Sequence, residues 1–128
     1  MVERKALLRT VLAANGIVDF GCAAILLVLP LLRIPVLGYQ IFDSQGAYMA
    51  GGWGIAALSF GLARLLASSR PQTHSLMRTA GLFEGAALAL GSLLYVAFAG
   101  VPLTQAALPF AVGIVFGVLY AVSAILKR

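Results

Sequence analysis

Four stretches of the chain hold at most one charged side chain each: Thr10 to Leu32, Gly46 to Leu66, Thr79 to Phe98 and Ala106 to Leu126. A helix needs about 20 mostly apolar residues to cross bilayer hydrocarbon, whose core is about 30 Å thick. A membrane β-strand would instead alternate apolar and polar positions over shorter segments, and that pattern is absent. Composition agrees: 62% of the 128 residues are hydrophobic and 10% are charged, against about 45–50% and about 25% in soluble domains. There are too few polar side chains to clothe a water-facing surface. The expected class is an all-α integral membrane protein, a single four-helix transmembrane domain over residues 1–128.

Pro30, Pro35, Gly38 and Asp43 punctuate the first gap, SSRPQTHS (Ser68 to Ser75) fills the second, and GVPLTQ (Gly100 to Gln105) fills the third. Connections this short make consecutive helices antiparallel neighbours, which predicts an up-down-up-down bundle. Arg4, Lys5 and Arg9 precede the first span, Arg64, Arg70 and Arg78 fall about the middle connection, and Lys127 and Arg128 follow the last span. Only Arg33 lies on the other side. The positive-inside rule then puts both termini and the middle connection in the cytoplasm, in a multi-pass cell-membrane protein. The same asymmetry argues against dual topology. It also explains the net charge of +5 better than nucleic-acid binding does, because the basic residues are dispersed between apolar stretches. Arg4, Lys5 and Arg9 before an apolar run have the look of a signal peptide. That run is longer than a signal h-region and contains Asp19, so a retained first span is expected.

Between helices in lipid, close packing replaces water expulsion, and small residues mark the contact faces. Gly81, Gly85 and Ala89 recur every four residues in the third span, and Gly113, Gly117 and Ala121 do so in the fourth. The second span carries Gly51, Gly52, Gly54, Ala57 and Gly61. These rows are expected to pack helices within the bundle, or to join copies of the chain. Tyr39, Phe42, Tyr48, Tyr95 and Phe98 collect near the outer boundary as an interfacial aromatic belt. Trp53, about 10 Å inside the second span and beside glycines, is expected as a packing wedge.

Polar residues at depth carry the functional expectation. Asp19 lies ten residues past Arg9, about 15 Å into the hydrocarbon, and Glu84 lies six past Arg78, about 9 Å in. Asn15 precedes Asp19 by four residues and shares its helical face. Such carboxylates face the bundle interior or water and often mark ligand, ion or proton paths. If the faces meet, Asn15, Asp19 and Glu84 form a polar interior. No basic residue reads as an obvious deep partner, although Arg64 or Arg78 is within range of Glu84. A faint repeat relates the first and third spans, GIVDFG to GLFEG, aligning Asp19 with Glu84; the Arg9-Thr10 and Arg78-Thr79 pairs are out of register by four. A parallel repeat of two hairpins would follow.

Little points to catalysis. His74 is the only histidine and reads as a solvated loop residue, Cys22 is the only cysteine and reads as a small packing residue, and no metal-ligand, phosphate-loop or nucleophile motif occurs. Asp19 resembles the first-span acid of small multidrug transporters, but that family's surrounding motifs are missing and the charge bias contradicts its dual topology. Two-pore fluoride channels match in length and not in motifs. No family is assigned. The leading expectation is a small non-enzymatic membrane protein that binds or moves a small ligand, cation or proton through a polar interior containing Asp19 and Glu84. The alternative is an accessory subunit of a membrane complex, docking through Gly/Ala-rich faces. The bilayer is the expected partner, with a homo-oligomer or membrane-complex partner beside it.

Overall fold

A computed structural model of the chain describes residues 2–35 and 43–126, with side chains from Lys5 onward. The described residues are almost entirely helical. They form α1 (Val2–Val28), α2 (Ser44–Ser68), α3 (His74–Ala99) and α4 (Leu103–Ile125), with a single 3-10 turn, Pro71–Thr73, leading into α3. All four helices are long and apolar enough to cross a membrane. The helices outrun the expected spans mainly at their starts. α1 begins at Val2 rather than Thr10 because Glu, Arg, Lys, Ala and Leu, which fill that stretch, are strong helix formers.

Local chemistry sets the ends. Pro30 lacks an amide, and just past it Arg33 adopts a left-handed conformation, φ 55. There the Ile34 amide donates to the Leu29 carbonyl at 3.0 Å and the Arg33 amide donates to Pro30 at 3.2 Å. This is the paired bonding of a Schellman close, a position usually given to glycine. α3 ends on the residue best suited to that task, Gly100 at φ 67, with the Val101 amide donating to Tyr95 at 3.2 Å. Asp43 caps α2: its Oδ1 accepts from the Gly46 amide at 2.7 Å, satisfying one of the helix's orphan donors. Pro109 sits inside α4, in the second turn, where one carbonyl loses its amide partner without stopping the helix.

The chain divides into two compact units. One comprises Met1–Leu12 and Ala67–Arg128. Its core is Leu8, Val11, Leu12, Ala67 and Tyr120, with Leu7, Met77, Leu82, Phe116 and Leu119 packed around them. Thus the early turns of α1, the last turn of α2, the start of α3 and the later half of α4 gather on one cluster. The α3–α4 crossing lies in the same unit. A β-carbon on Gly85 would fall 2.7 Å from the Gly117 Cα and 2.8 Å from the Gly113 carbonyl oxygen, so the two backbones touch. A β-carbon on Gly81 would fall inside the ring of Tyr120, 2.3 Å from its nearest atom. The glycines expected to pack, Gly81, Gly85, Gly113 and Gly117, therefore serve contacts within the chain.

The other unit, Ala13–Leu66, holds the crossing of α1 and α2. Gly16 and Gly61 face one another, each leaving room that a β-carbon would fill 3.0 Å from the other's carbonyl oxygen. Gly54 makes similar room for Leu26 and Leu27. Gly51 and Gly52 have open space beside them, so the small residues of α2 pack only in part. Trp53 is 66% exposed and is not the expected wedge. On a helix it points about 100° away from its neighbour Gly54, and so away from α1. Of the aromatic belt, Tyr48, Tyr95 and Phe98 are exposed, while Tyr39 and Phe42, like Lys127 and Arg128, lie outside the described residues.

Candidate functional site

Within the Ala13–Leu66 unit, α1 and α2 bring an acid and a base together. Arg64 donates from Nη1 to Oδ2 of Asp19, the two side chains being 2% and 13% exposed. The pairing follows from the crossing below it. Gly61 has no β-carbon, so the Cβ of Asp19 and the ring of Phe20 can lie over the α2 backbone. Arg64, three residues further along α2, is on the same face of that helix, and its long side chain reaches the carboxylate. The guanidinium carbon also stands 5.6 Å from the centroid of the Phe60 ring, one turn back on α2. That distance lies within the range of a cation–π contact.

This corrects the assignment of Arg64 to the middle connection. It is a buried helix residue, and the acid at Asp19 has a deep cationic partner after all. One charge is thereby removed from the count on which the expected orientation rests. Counting charges along the sequence missed the pair because its members are 45 residues apart. A signal was available: Gly16-x-x-Asp19 and Gly61-x-x-Arg64 carry the same spacing, as two helices do when a close crossing and a polar contact share one face.

The other expected site residues are placed as follows. Asn15 is buried, 3% exposed, on α1 in the unit that holds Asp19. Glu84 is half-buried on α3, in the other unit, directly before the Gly85 crossing. His74 is not a solvated loop residue. The 3-10 turn runs straight into α3, so His74 occupies the first helical turn, 8% exposed, with no hydrogen-bond partner at Nε2 among the described residues.

What the arrangement offers chemically is a charge pair that can exchange states. A protonated Asp19 releases Arg64, and an anion bound to Arg64 leaves Asp19 ready to accept a proton. A metal cation is less suited, because Arg64 already holds the place beside the carboxylate. Among the described residues no group of three or more His, Cys, Asp or Glu comes together. No family model, no curated protein and no solved structure matches the chain.

Proposed function

We propose that the chain is a four-span membrane protein that binds a small ligand, or passes a proton, through a polar interior built on Asp19 and Arg64, with Asn15 contributing; Glu84 is a separate polar position of the other unit. The spans run up-down-up-down, with both termini and the Pro71–Thr73 connection on the cytoplasmic side. The observation that carries the functional reading is the buried Arg64–Asp19 pair. Charged side chains within spanning helices are costly and mark substrate, ion or proton paths by default. The topology is supported by the charge asymmetry and by the gathering of the α1, α2, α3 and α4 segments on one core cluster.

Proton flux into liposomes tests the function. Wild-type protein is expected to exceed empty liposomes, Asp19→Glu to retain flux, and Asp19→Asn to lose it, with unfolding measured in parallel on each. Wild-type flux equal to that of empty liposomes, together with no ligand in native mass spectra, would sink the reading. Topology is tested in a Cys22→Ala background. Gln45→Cys should label from outside intact cells, and Gln72→Cys only after permeabilisation.

A second reading, an accessory subunit of a membrane complex, is favoured by the open space beside Gly21, Gly51, Gly52 and Gly91. Those glycines leave small-residue faces on α1, α2 and α3 that the described residues do not fill. Co-purification of a stoichiometric membrane partner, lost on Gly51→Leu, would favour it over transport.

A further inference from the structure

We propose that one end of the unit formed by Met1–Leu12 and Ala67–Arg128, where α1 begins and α2 gives way to α3, binds anionic phospholipid headgroups. The core cluster fixes the level. Leu8 of α1, Ala67 of α2 and Met77 of α3 share it, and a basic residue stands beside or beyond each. Arg9 follows Leu8, and Lys5 lies on the same face one turn further out, both exposed. Arg70 is exposed in the turn three residues past Ala67, and Arg78 follows Met77. Two carboxylates belong to this unit: Glu3, two residues before Lys5, and Glu84, about 9 Å further along α3 from Arg78. Against Glu3 this end carries Arg4, Lys5, Arg9, Arg70 and Arg78, so its net charge is clearly positive.

Phosphate chemistry alone would also suit an acidic protein or a nucleic acid. The neighbouring surface selects a lipid. Leu76, beside Met77 on α3, is 71% exposed, and Ile125, past Tyr120 toward the same end of α4, is 80% exposed. A partner that covers both features carries an anionic head and an apolar tail on one molecule. The hydroxyls nearby are already used: Thr10 donates to the Ala6 carbonyl and Thr79 to the Ser75 carbonyl. Recognition therefore falls on Lys5, Arg9, Arg70 and Arg78. Juxtamembrane basic residues each strengthen attraction to anionic lipid by roughly fivefold, an effect that fades beyond a Debye length.

The inference rests on the spanning reading above, and its test separates the two. Full-length protein, stripped of lipid in neutral detergent, is mixed with equimolar phosphatidylglycerol and phosphatidylcholine, and retained lipid is counted by native mass spectrometry. Wild-type protein should prefer phosphatidylglycerol by at least about tenfold at low salt, and the preference should collapse in 0.5 M salt, where the Debye length falls to about 4 Å. The combined variant Arg9→Gln, Arg70→Gln, Arg78→Gln should lose it, while Arg33→Gln should keep it. Should the combined variant misfold, Arg70→Gln alone, in an exposed turn, should lower the preference severalfold. Equal retention of both lipids by the wild type, a salt-insensitive preference, or an unchanged preference in the combined variant overturns the proposal. So does displacement of phosphatidylglycerol by inorganic phosphate at millimolar concentration. Flotation with vesicles of either lipid alone reports the spanning reading separately. Failure to float with both overturns that reading and this one with it.

Discussion

The α1–α2 hairpin and the α3–α4 hairpin have the same plan and close it with opposite chemistry. Each first helix carries Gly-x-x-acid, at Gly16 and Asp19 or at Gly81 and Glu84, and each second helix has a glycine three residues before its largest contact side chain, Gly61 before Arg64 or Gly117 before Tyr120. In α1–α2 the ring of Phe20 rests on Gly61, and the seal above it is the Arg64–Asp19 pair. In α3–α4 the position equivalent to Phe20 is Gly85, so backbone meets backbone, and Tyr120, at the position of Arg64, lies on Gly81 instead of pairing with an acid. One hairpin depends on keeping two charges together. The other depends on keeping atoms out. The first is sensitive to which groups are present, and the second to how much space they take.

The largest effect expected from that contrast is at Arg64. Arg64→Met leaves Asp19 buried without its cation and should cost about 3–5 kcal/mol, whereas Asp19→Leu with Arg64→Met should recover most of the loss. Unfolding in mixed micelles of increasing SDS content measures Arg64→Met, Asp19→Leu and the double variant. Strictly additive losses would show that the charges are not coupled. Next comes Gly85→Ala, whose new methyl meets the backbone of α4 and should cost about 1–3 kcal/mol. Gly54→Ala should cost less, since it meets only the side chains of Leu26 and Leu27, which can turn aside; a reversed order would break the distinction between the hairpins. A smaller and opposite effect is expected at the end of α1. Arg33→Gly relieves the left-handed backbone and should raise stability by about 1 kcal/mol, read as a higher unfolding midpoint. Smallest is Gly51→Ala, beside open space, which should change stability by less than about 0.5 kcal/mol unless a partner covers that face in the purified particle.

Much of this plan was legible in the sequence, because the demands of a bilayer are written in linear terms. Apolar length marks a span, and the glycine rows of α3 and α4 mark a close crossing because only a residue without a β-carbon fits there. What was not legible depended on rotation and on distance along the chain. Trp53 looked buried because glycines flank it, yet neighbours on a helix point in different directions. His74 looked like a loop residue because Pro71 suggests a break, whereas proline also opens a helical turn readily. Arg64 looked like a boundary charge until the Gly16–Gly61 crossing supplied Asp19 as its partner. The repeat shows the same limit: Gly16 and Asp19 match Gly81 and Glu84 in spacing, while the Arg-Thr pairs fall out of register.

The Arg64–Asp19 pair also bears on how the chain enters a bilayer. An acid or a basic residue at the centre of a lone helix costs about 2.5–3.5 kcal/mol on insertion. Synthesis delivers α1 first, so Asp19 arrives before its counter-charge has been made. α2 then brings Arg64, and with it a reason for both helices to stay. On the spanning reading, the unit expected to partition into lipid is the α1–α2 hairpin rather than either helix, with α1 the member that has to wait.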